Sequence, residues 1–300
     1  MRRAVIFSAA IACASPGWAQ TAAERLSLPA PEAREGTTTT IDGAEIFHSE
    51  SGSGDTVVLL HGYPLSGALF GRVRDMLDDD HRVVTIDHRG YGKSTTPKVV
   101  TDVATYASDA LAVLDELGID SAVIGGMSMG GPILFEMYRQ NPDVFDKAIL
   151  IDTNAGPASA IETGIWNGTI TALEDSGEVS AIIPFLLPNM LTGETRLVTA
   201  PAQADYLAEV IKQSSLDGAL GGAKVLANRP DSTDTLKNMD IPVLVIVGRE
   251  DTLYPVAISQ QMADAAPRGE LVIIPGAAHA AVFEKPDEVG QAIGAFLSAE

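Results

Sequence analysis

The sequence contains little cysteine and few basic residues. The first shortage excludes a disulfide-supported fold, and the second argues against a nucleic-acid partner. The only cysteine among the 300 residues is Cys13, so no disulfide within the chain supports the fold. Lysine and arginine together number 20 against 40 acidic residues, which gives a net charge of −20 at pH 7. No basic patch or stripe stands out, and we therefore expect no nucleic-acid partner. No group of residues has metal-ligand spacing either, so we predict neither a metal nor another cofactor.

Long apolar runs are also missing. The run at residues 4–14 is too short to cross a bilayer and no other segment is a candidate, so we predict no membrane span. This run follows two arginines and precedes the small residues Gly17 and Ala19. A charged start, a short apolar middle and a small-residue cleavage site are typical of a secretory signal peptide. We predict a signal peptide over residues 1–19 and a secreted or periplasmic mature protein.

Cys13 leaves one alternative open for this segment. Residues 10–13 faintly resemble a bacterial lipoprotein signal, although the usual leucine three positions before the cysteine is missing. Lipid anchoring through Cys13 is therefore a minor alternative to a free, exported chain. Residues 20–36 are rich in Ala, Pro, Glu and Thr, and we expect them to be a poorly ordered lead-in.

Six short apolar runs follow along the chain. They occupy residues 57–60, 83–86, 122–124, 148–151, 243–247 and 271–274. Continuous runs of Val, Ile and Leu indicate strands that are buried on both faces, as in a parallel sheet. Helix-patterned segments separate most of the runs, and Asp42-Gly43 predicts a hairpin turn ahead of them. This alternation predicts an α/β fold, with a doubly wound and mostly parallel sheet covered by helices on both faces.

One interval contains no such run. Between residues 155 and 238 the apolar residues have helix-like spacing, which predicts a helical cap inserted over the strand ends. The α/β core would then consist of residues 37–154 and 239–300. The sequence shows no internal repeat that would favour a repeat architecture instead.

A glycine-flanked serine carries the clearest chemical signal. The segment from Gly126 to Gly130, Gly-Met-Ser-Met-Gly, follows a predicted strand directly and precedes a predicted helix. A Gly-x-Ser-x-Gly pattern in that position is typical of a nucleophile elbow, in which a sharp turn exposes the serine above the sheet. The flanking glycines let the turn approach the sheet closely. We therefore predict that Ser128 is a nucleophile.

A serine hydroxyl needs a base, and the base needs an acid that orients it. His279 follows the last predicted strand, at the edge where open α/β sheets place their sites. Asp251 follows the strand at residues 243–247, and the order Ser, Asp, His is the one expected for this fold. Asp152, at the end of another predicted strand, is the alternative acid. We predict a triad of Ser128, Asp251 and His279.

The loop after the first buried strand predicts the oxyanion donors. His61-Gly62-Tyr63-Pro64 occupies the position from which one donor is expected, and the residue after the nucleophile supplies the other. This assigns the backbone N–H groups of Tyr63 and Met129. His61 is interpreted as a hydrogen-bonded organiser of the loop.

Taken in order, these motifs make the chain resemble the α/β-hydrolase superfamily over roughly residues 37–298. The matching segments are His61–Pro64, Asp87–Ser94, Gly126–Gly131, Gly248–Asp251 and Gly276–His279 with Glu284-Lys285-Pro286. The resemblance is nearest to the small-cap group of esterases, enol-lactonases and cofactor-free perhydrolase-type haloperoxidases. It implies the same triad and oxyanion donors. A serine at position 128 disfavours the haloalkane dehalogenases and epoxide hydrolases of the superfamily, which use aspartate there.

The resulting hypothesis is a serine hydrolase that cleaves carboxylic esters of small molecules through an acyl-enzyme. Residues proposed to line its pocket are Phe70, Met127, Trp166, Phe185 and Leu186. Two alternatives stay open: a lactonase or perhydrolase using the same triad, and a hydrolase-like binding protein without activity. The sequence does not define the oligomeric state.

Overall fold

A computed structural model describes residues 34–299 of the chain. The predicted signal peptide at residues 1–19 and most of the predicted lead-in lie outside the described residues. Residues 34–36, the end of the predicted lead-in, are described. Arg34 is buried, its guanidinium lies 2.5 Å from a carboxylate oxygen of Asp87, and it stacks over the Phe47 ring. This buried ion pair fixes the chain before the first strand begins.

Eight strands form one sheet within these residues. They are β1 (Thr37–Ile41), β2 (Ala44–Ser51), β3 (Thr56–Leu60), β4 (Arg82–Ile86), β5 (Ala122–Met127), β6 (Phe145–Ile151), β7 (Pro242–Gly248) and β8 (Arg268–Ile274). Their spatial order is β1-β2-β4-β3-β5-β6-β7-β8. Strands β3 to β8 pair in parallel, whereas β1 and β2 are antiparallel to their neighbours. The predicted mostly parallel sheet is thus confirmed.

The strands are parallel and central because their side chains are apolar on both faces. Every residue of β5 is buried, and the last four residues of both β3 and β6 are buried as well. The antiparallel β1–β2 hairpin lies at the edge, where one face can be polar. Its turn is Asp42-Gly43, and both residues have positive φ, at 48° and 78°. Two successive positive φ angles are what a two-residue hairpin turn requires.

Within residues 34–299, eleven α-helices connect or cover the strands. They are α1 (Gly71–Leu77), α2 (Val103–Glu116), α3 (Gly130–Gln140), α4 (Ala160–Ser176), α5 (Ile183–Met190), α6 (Pro201–Lys212), α7 (Leu216–Ala227), α8 (Thr233–Lys237), α9 (Val256–Ala265), α10 (Ala281–Glu284) and α11 (Pro286–Leu297). Short 3₁₀ turns occur at Gly67–Phe70, Pro142–Val144 and Val179–Ile182, and a π-helical turn at Thr195–Thr199. Around the sheet, α1 packs against α11 and α2 against α3, while α9 packs on β7 and β8. No helix of residues 34–299 has the length and apolarity needed to cross a membrane.

Helices α4 to α8 occupy the interval between β6 and β7 in which the sequence predicts a cap. Helix α4 packs against α7 and begins with a capping box, in which Ser159 and Glu162 each accept a backbone N–H of the other. The two ends of the insertion lie side by side. The N–H of Ser232 donates to the carbonyl of Ala155 at 2.7 Å, so the chain leaves the core and returns to it at nearly the same place.

Candidate active site

Ser128 lies on a tight turn between a parallel strand and a helix. Strand β5 ends at Met127 and α3 begins at Gly130, so one turn connects them. Ser128 has φ 51°, in the left-handed region that residues with a side chain seldom adopt. The glycines two residues away on either side, Gly126 and Gly130, let the turn pack closely: a Cβ on Gly130 would lie 2.3 Å from the carbonyl oxygen of Leu60. The turn therefore sits directly against the end of β3.

Three side chains from three different loops meet at this turn. His279 Nε2 lies 2.8 Å from the Ser128 hydroxyl oxygen, and His279 Nδ1 lies 2.9 Å from Asp251 Oδ2. With the proton on Nδ1, the histidine donates to the carboxylate and its Nε2 accepts from the serine. All three side chains are buried or nearly so. This geometry allows the histidine to remove the serine proton while the carboxylate stabilises the imidazolium that results.

Asp251 is fixed by its own loop. Its second oxygen, Oδ1, accepts the backbone N–H groups of Leu253 at 2.8 Å and Tyr254 at 3.0 Å. These two bonds leave Oδ2 free to face the imidazole, which also packs edge-on against the Tyr254 ring. Each carboxylate oxygen therefore has a separate partner, and the orientation of the acid is defined on both sides.

Asp152, the alternative acid, has a different role in the structure. One of its oxygens accepts the N–H of Gly248 at 2.8 Å and the other the N–H of Ala281 at 3.0 Å. Both oxygens are thus occupied by backbone donors, while the imidazole of His279 is bonded to Asp251. Complete burial raises the pKa of Asp152 well above its usual range, and the nearby charge of Asp251 raises it further.

The end of β6 consequently links the loops of all three residues. Asp152 bonds the last residue of β7, from which the Asp251 loop departs, and Ala281, which follows the His279 loop. Next to it, the hydroxyl of Thr153 donates to the carbonyl of Ser128 at 2.6 Å. This network holds the three loops at fixed separations.

The loop predicted to supply an oxyanion donor is organised by His61. Its Nε2 accepts the N–H of His88 at 2.9 Å, so its Nδ1 carries the proton and donates to the carbonyl of Gly62, also at 2.9 Å. Burial lowers the pKa of His61 to about 3, which keeps the ring neutral. Within residues 34–299, the backbone N–H groups of Tyr63 and Met129 have no protein acceptor.

A cavity of about 40 Å³ opens onto the serine between the core and the α4–α5 region. The residues that line it are mostly apolar or aromatic: Tyr63, Ser128, Glu162, Ile165, Trp166, Leu186, Met190, Leu253, Tyr254 and His279. Of the five residues predicted to line a pocket, Trp166 and Leu186 do so. The Trp166 ring meets the Tyr63 ring edge-on at 5.2 Å between centroids.

The other three residues, Phe70, Met127 and Phe185, do not line this cavity. Phe70 and Met127 are fully buried in the core, where Phe70 ends a 3₁₀ turn and Met127 ends β5. Phe185 is 69 % exposed on the outer side of α5. The prediction missed Glu162, Ile165, Met190, Leu253 and Tyr254. Leu253 and Tyr254 could have been found, because they follow Asp251 in the same short loop.

One charged side chain lines this cavity besides the histidine and its partners. Glu162 reaches it from α4, and its carboxylate lies 2.8 Å from the guanidinium of Arg229. Arg229 also donates to the Tyr254 hydroxyl at 2.6 Å. Bonds from Ser159 and Arg229 outweigh burial and lower the pKa of Glu162, so this carboxylate is ionised at neutral pH. Among the described residues, no group of three or more His, Cys, Asp or Glu side chains could hold a metal ion.

Fold and site together define an enzyme of the α/β-hydrolase class. The family model described as alpha/beta hydrolase fold matches residues 55–286, and the chain belongs to this family. The chain is 29% identical to a bifunctional esterase/perhydrolase of Acinetobacter calcoaceticus, over 87% of this chain and 99% of that protein. It is 30% identical to a non-heme chloroperoxidase of Streptomyces lividans, over 78% and 86% respectively. A thermophilic esterase from Thermogutta terrifontis superposes with a TM-score of 0.81 at 31% identity, covering 87% of this chain and 96% of that one.

Proposed function

We propose that the protein is a serine carboxylesterase that uses Ser128, His279 and Asp251. The observation that carries this proposal is the pair of contacts at His279, 2.8 Å to the serine hydroxyl and 2.9 Å to the aspartate. A nucleophile, its base and the acid that orients the base are thereby connected without any rearrangement. The small, mostly apolar cavity beside them suits a small uncharged ester.

In the proposed reaction, His279 takes the proton of the Ser128 hydroxyl while the serine oxygen attacks the ester carbonyl. The N–H groups of Tyr63 and Met129 hold the oxyanion, and each such donor lowers the barrier by on the order of several kcal/mol. His279 then gives its proton to the departing alcohol, which leaves an acyl-enzyme. Water, deprotonated by His279, attacks the acyl carbon and releases the acid and the free serine.

A perhydrolase activity on the same triad is the second candidate. It is favoured by the relatives, since one is named a bifunctional esterase/perhydrolase and another a non-heme chloroperoxidase. In perhydrolysis, hydrogen peroxide replaces water as the nucleophile that attacks the acyl-enzyme, and a peracid replaces the acid as product. Both activities require an acyl-enzyme on Ser128, so they differ only in the second step.

The experiment that tests the proposal measures hydrolysis of 4-nitrophenyl butyrate by Ser128→Ala. We expect loss of activity by at least about 10³-fold, because the covalent step is removed. The matched control is Ser108→Ala, which removes an exposed hydroxyl on α2 and should hydrolyse the ester at the rate of the unmutated protein. A Ser128→Ala protein that keeps its full rate contradicts the proposal.

A second measurement separates an enzyme from a binding protein with an inactive site. A fluorophosphonate reacts with activated serines: the serine oxygen attacks phosphorus, fluoride leaves, and the protein gains the mass of the phosphonyl group. We expect one adduct, on Ser128, and none after Ser128→Ala. Comparing acid with peracid formation as hydrogen peroxide is added then distinguishes an esterase from a perhydrolase. Absence of labelling together with ligand binding would favour a non-catalytic role.

The location of the protein is also part of the proposal. The signal peptide predicted over residues 1–19 supports export to the periplasm or the medium. Sequencing the N-terminus of the protein from a bacterial host checks it: export predicts a chain beginning at Gln20, and lipid anchoring predicts one beginning at a modified Cys13. A cytoplasmic chain that retains residues 1–19 contradicts both.

A further inference from the structure

Glu284 is a buried carboxylate that the triad does not use. It ends α10, within the Glu284-Lys285-Pro286 segment, and only 5 % of its surface is exposed. Its Oε2 accepts the backbone N–H of Ala278 at 2.7 Å, next to His279. Its Oε1 accepts two bonds from Thr192, the backbone N–H at 2.9 Å and the hydroxyl at 2.6 Å. One side chain thus joins the histidine loop to the segment that follows α5.

Backbone bonds run beside this carboxylate between the same two segments. The N–H of Ala280 donates to the carbonyl of Met190 at 2.8 Å, and the N–H of His279 to the carbonyl of Asn189 at 3.3 Å. Residues 189–192 therefore lie along residues 278–280. Met190 itself lines the cavity. The segment that carries the catalytic imidazole and the one that forms a wall of the cavity are bonded to each other.

We propose that Glu284 is a positioning residue that makes His279 and one wall of the cavity move as one unit. This wall, the α5 wall, is formed by Leu186 and Met190. A buried carboxylate must keep its hydrogen-bond donors, since leaving it without them carries a large desolvation cost. Here those donors come from both segments, so the carboxylate is satisfied only when the segments are in register. Displacing the wall therefore also displaces the imidazole from the Ser128 hydroxyl. The inference rests on the proposed function, because it assigns His279 the role of base.

The consequence concerns substrate admission. A substrate that pushes the α5 wall outward lengthens the contact between His279 and Ser128 and lowers the rate of the chemical step. The wall would then act on kcat as well as on binding. The protein would therefore select substrates by size through the rate of the chemical step as well as through binding.

The test uses variants of Thr192, which lies at the partly exposed end of the contact. Thr192→Val keeps the backbone bond to Glu284 and removes the hydroxyl, which bonds Glu284 and also accepts the N–H of Thr195 at 3.2 Å, whereas Thr192→Ser keeps all of these bonds. Glu284→Gln tests the carboxylate directly, and the double variant with Thr192→Val shows whether the two residues act together. Glu288→Gln is the matched control, since Glu288 is exposed on the next helix. Values of kcat from saturation curves on 4-nitrophenyl acetate and hexanoate are divided by the number of serines that a fluorophosphonate labels.

We expect Thr192→Val to lower kcat per labelled serine by about fivefold, the factor that corresponds to about 1 kcal/mol, with a larger loss on the hexanoate. Thr192→Ser and Glu288→Gln should keep the original kcat. The loss in the double variant should be smaller than the product of the two single losses, because the residues share one contact. Lower thermal stability in Thr192→Val or Glu284→Gln with unchanged kcat per labelled serine overturns the inference. An unmutated protein that no fluorophosphonate labels overturns the proposed function instead.

Discussion

Replacing either of the two buried aspartates by asparagine separates their roles. In Asp251→Asn, the two backbone N–H groups of Leu253 and Tyr254 hold the carbonyl oxygen of the new amide at the place of Oδ1. The amide NH₂ then faces His279 Nδ1, which can only accept from it. The proton of the imidazole moves to Nε2, and the ring donates to Ser128 where it should accept.

The size of the expected loss in kcat follows from this change of tautomer. A histidine that cannot accept the serine proton costs about 10³- to 10⁴-fold in kcat, or about 4–5.5 kcal/mol of barrier. The fold should persist, because the asparagine keeps both backbone bonds and the same shape. In Asp152→Asn the triad contacts stay, but the NH₂ must face the N–H of either Gly248 or Ala281. We expect a loss of about 1–3 kcal/mol in stability and a fall in kcat of at most about tenfold.

The assay compares the two variants side by side. Steady-state rates on 4-nitrophenyl butyrate give kcat, and urea unfolding followed by circular dichroism gives the free energy of unfolding. Asp251→Asn should be stable and inactive, and Asp152→Asn less stable and active. The reverse pattern, with Asp152→Asn inactive and Asp251→Asn nearly unaffected, would refute the reasoning and make Asp152 the acid.

Three further predictions follow from single contacts. Because the pKa of His61 is about 3 when folded and near 6.5 when unfolded, the unfolded chain takes up the proton first. Stability from this group is therefore complete above pH 6.5 and falls by about 1.4 kcal/mol per pH unit between pH 6.5 and 3. Urea unfolding at pH 6.5, 5.5 and 4.5 should show that the free energy of unfolding falls more steeply with decreasing pH in the unmutated protein than in His61→Asn. Equal slopes in the two proteins would contradict this. Gly130→Ala places a Cβ 2.3 Å from the carbonyl oxygen of Leu60, so thermal unfolding should show a loss of about 1–3 kcal/mol; unchanged stability would mean that the turn can shift. Glu162→Gln removes the negative charge beside the cavity and leaves Arg229 positive, so kcat/KM for a 4-nitrophenyl hemisuccinate should rise by about two- to tenfold relative to the neutral butyrate. An unchanged ratio would show that the carboxylate does not select substrates by charge.

The sheet could be predicted from sequence because its strands are defined by local composition. Each of the six apolar runs corresponds to one of the strands β3 to β8, and Asp42-Gly43 forms the turn of the edge hairpin. The spatial order of the strands is a property of the connections, and no run of residues specifies it. The antiparallel edge hairpin joins the sheet through β2, which pairs with β4 rather than with β3.

The positions of the three site residues followed from the same logic. Ser128, Asp251 and His279 each lie a few residues past the end of a predicted strand, and the carboxyl ends of parallel strands share one edge of the sheet. Both Asp251 and Asp152 follow a strand at that edge, and the order Ser, Asp, His along the chain favoured Asp251. The structure adds the direction of each side chain: Asp251 faces the imidazole, and Asp152 accepts backbone N–H groups.

The pocket was the least predictable part, and α5 shows why. Phe185 and Leu186 are adjacent, apolar and equally plausible in sequence, yet Leu186 lines the cavity and Phe185 is exposed. Which face of a helix is turned inward depends on the angle at which it packs, and a short helix that is apolar all round carries no periodic signal for it. Glu162 was missed for a related reason, since its role depends on Arg229, which is distant in sequence.

The adjacent ends of the α4–α8 insertion have a consequence for how such a protein can diversify. Because Ser232 and Ala155 are hydrogen-bonded to each other, the insertion leaves and re-enters the α/β core at one place, as a short loop would. Another helical segment, longer or shorter, could be grafted between these two points while β6 and β7 kept their register. New substrate preferences could then arise by exchanging one module, with the hydrolytic apparatus inherited unaltered beneath it.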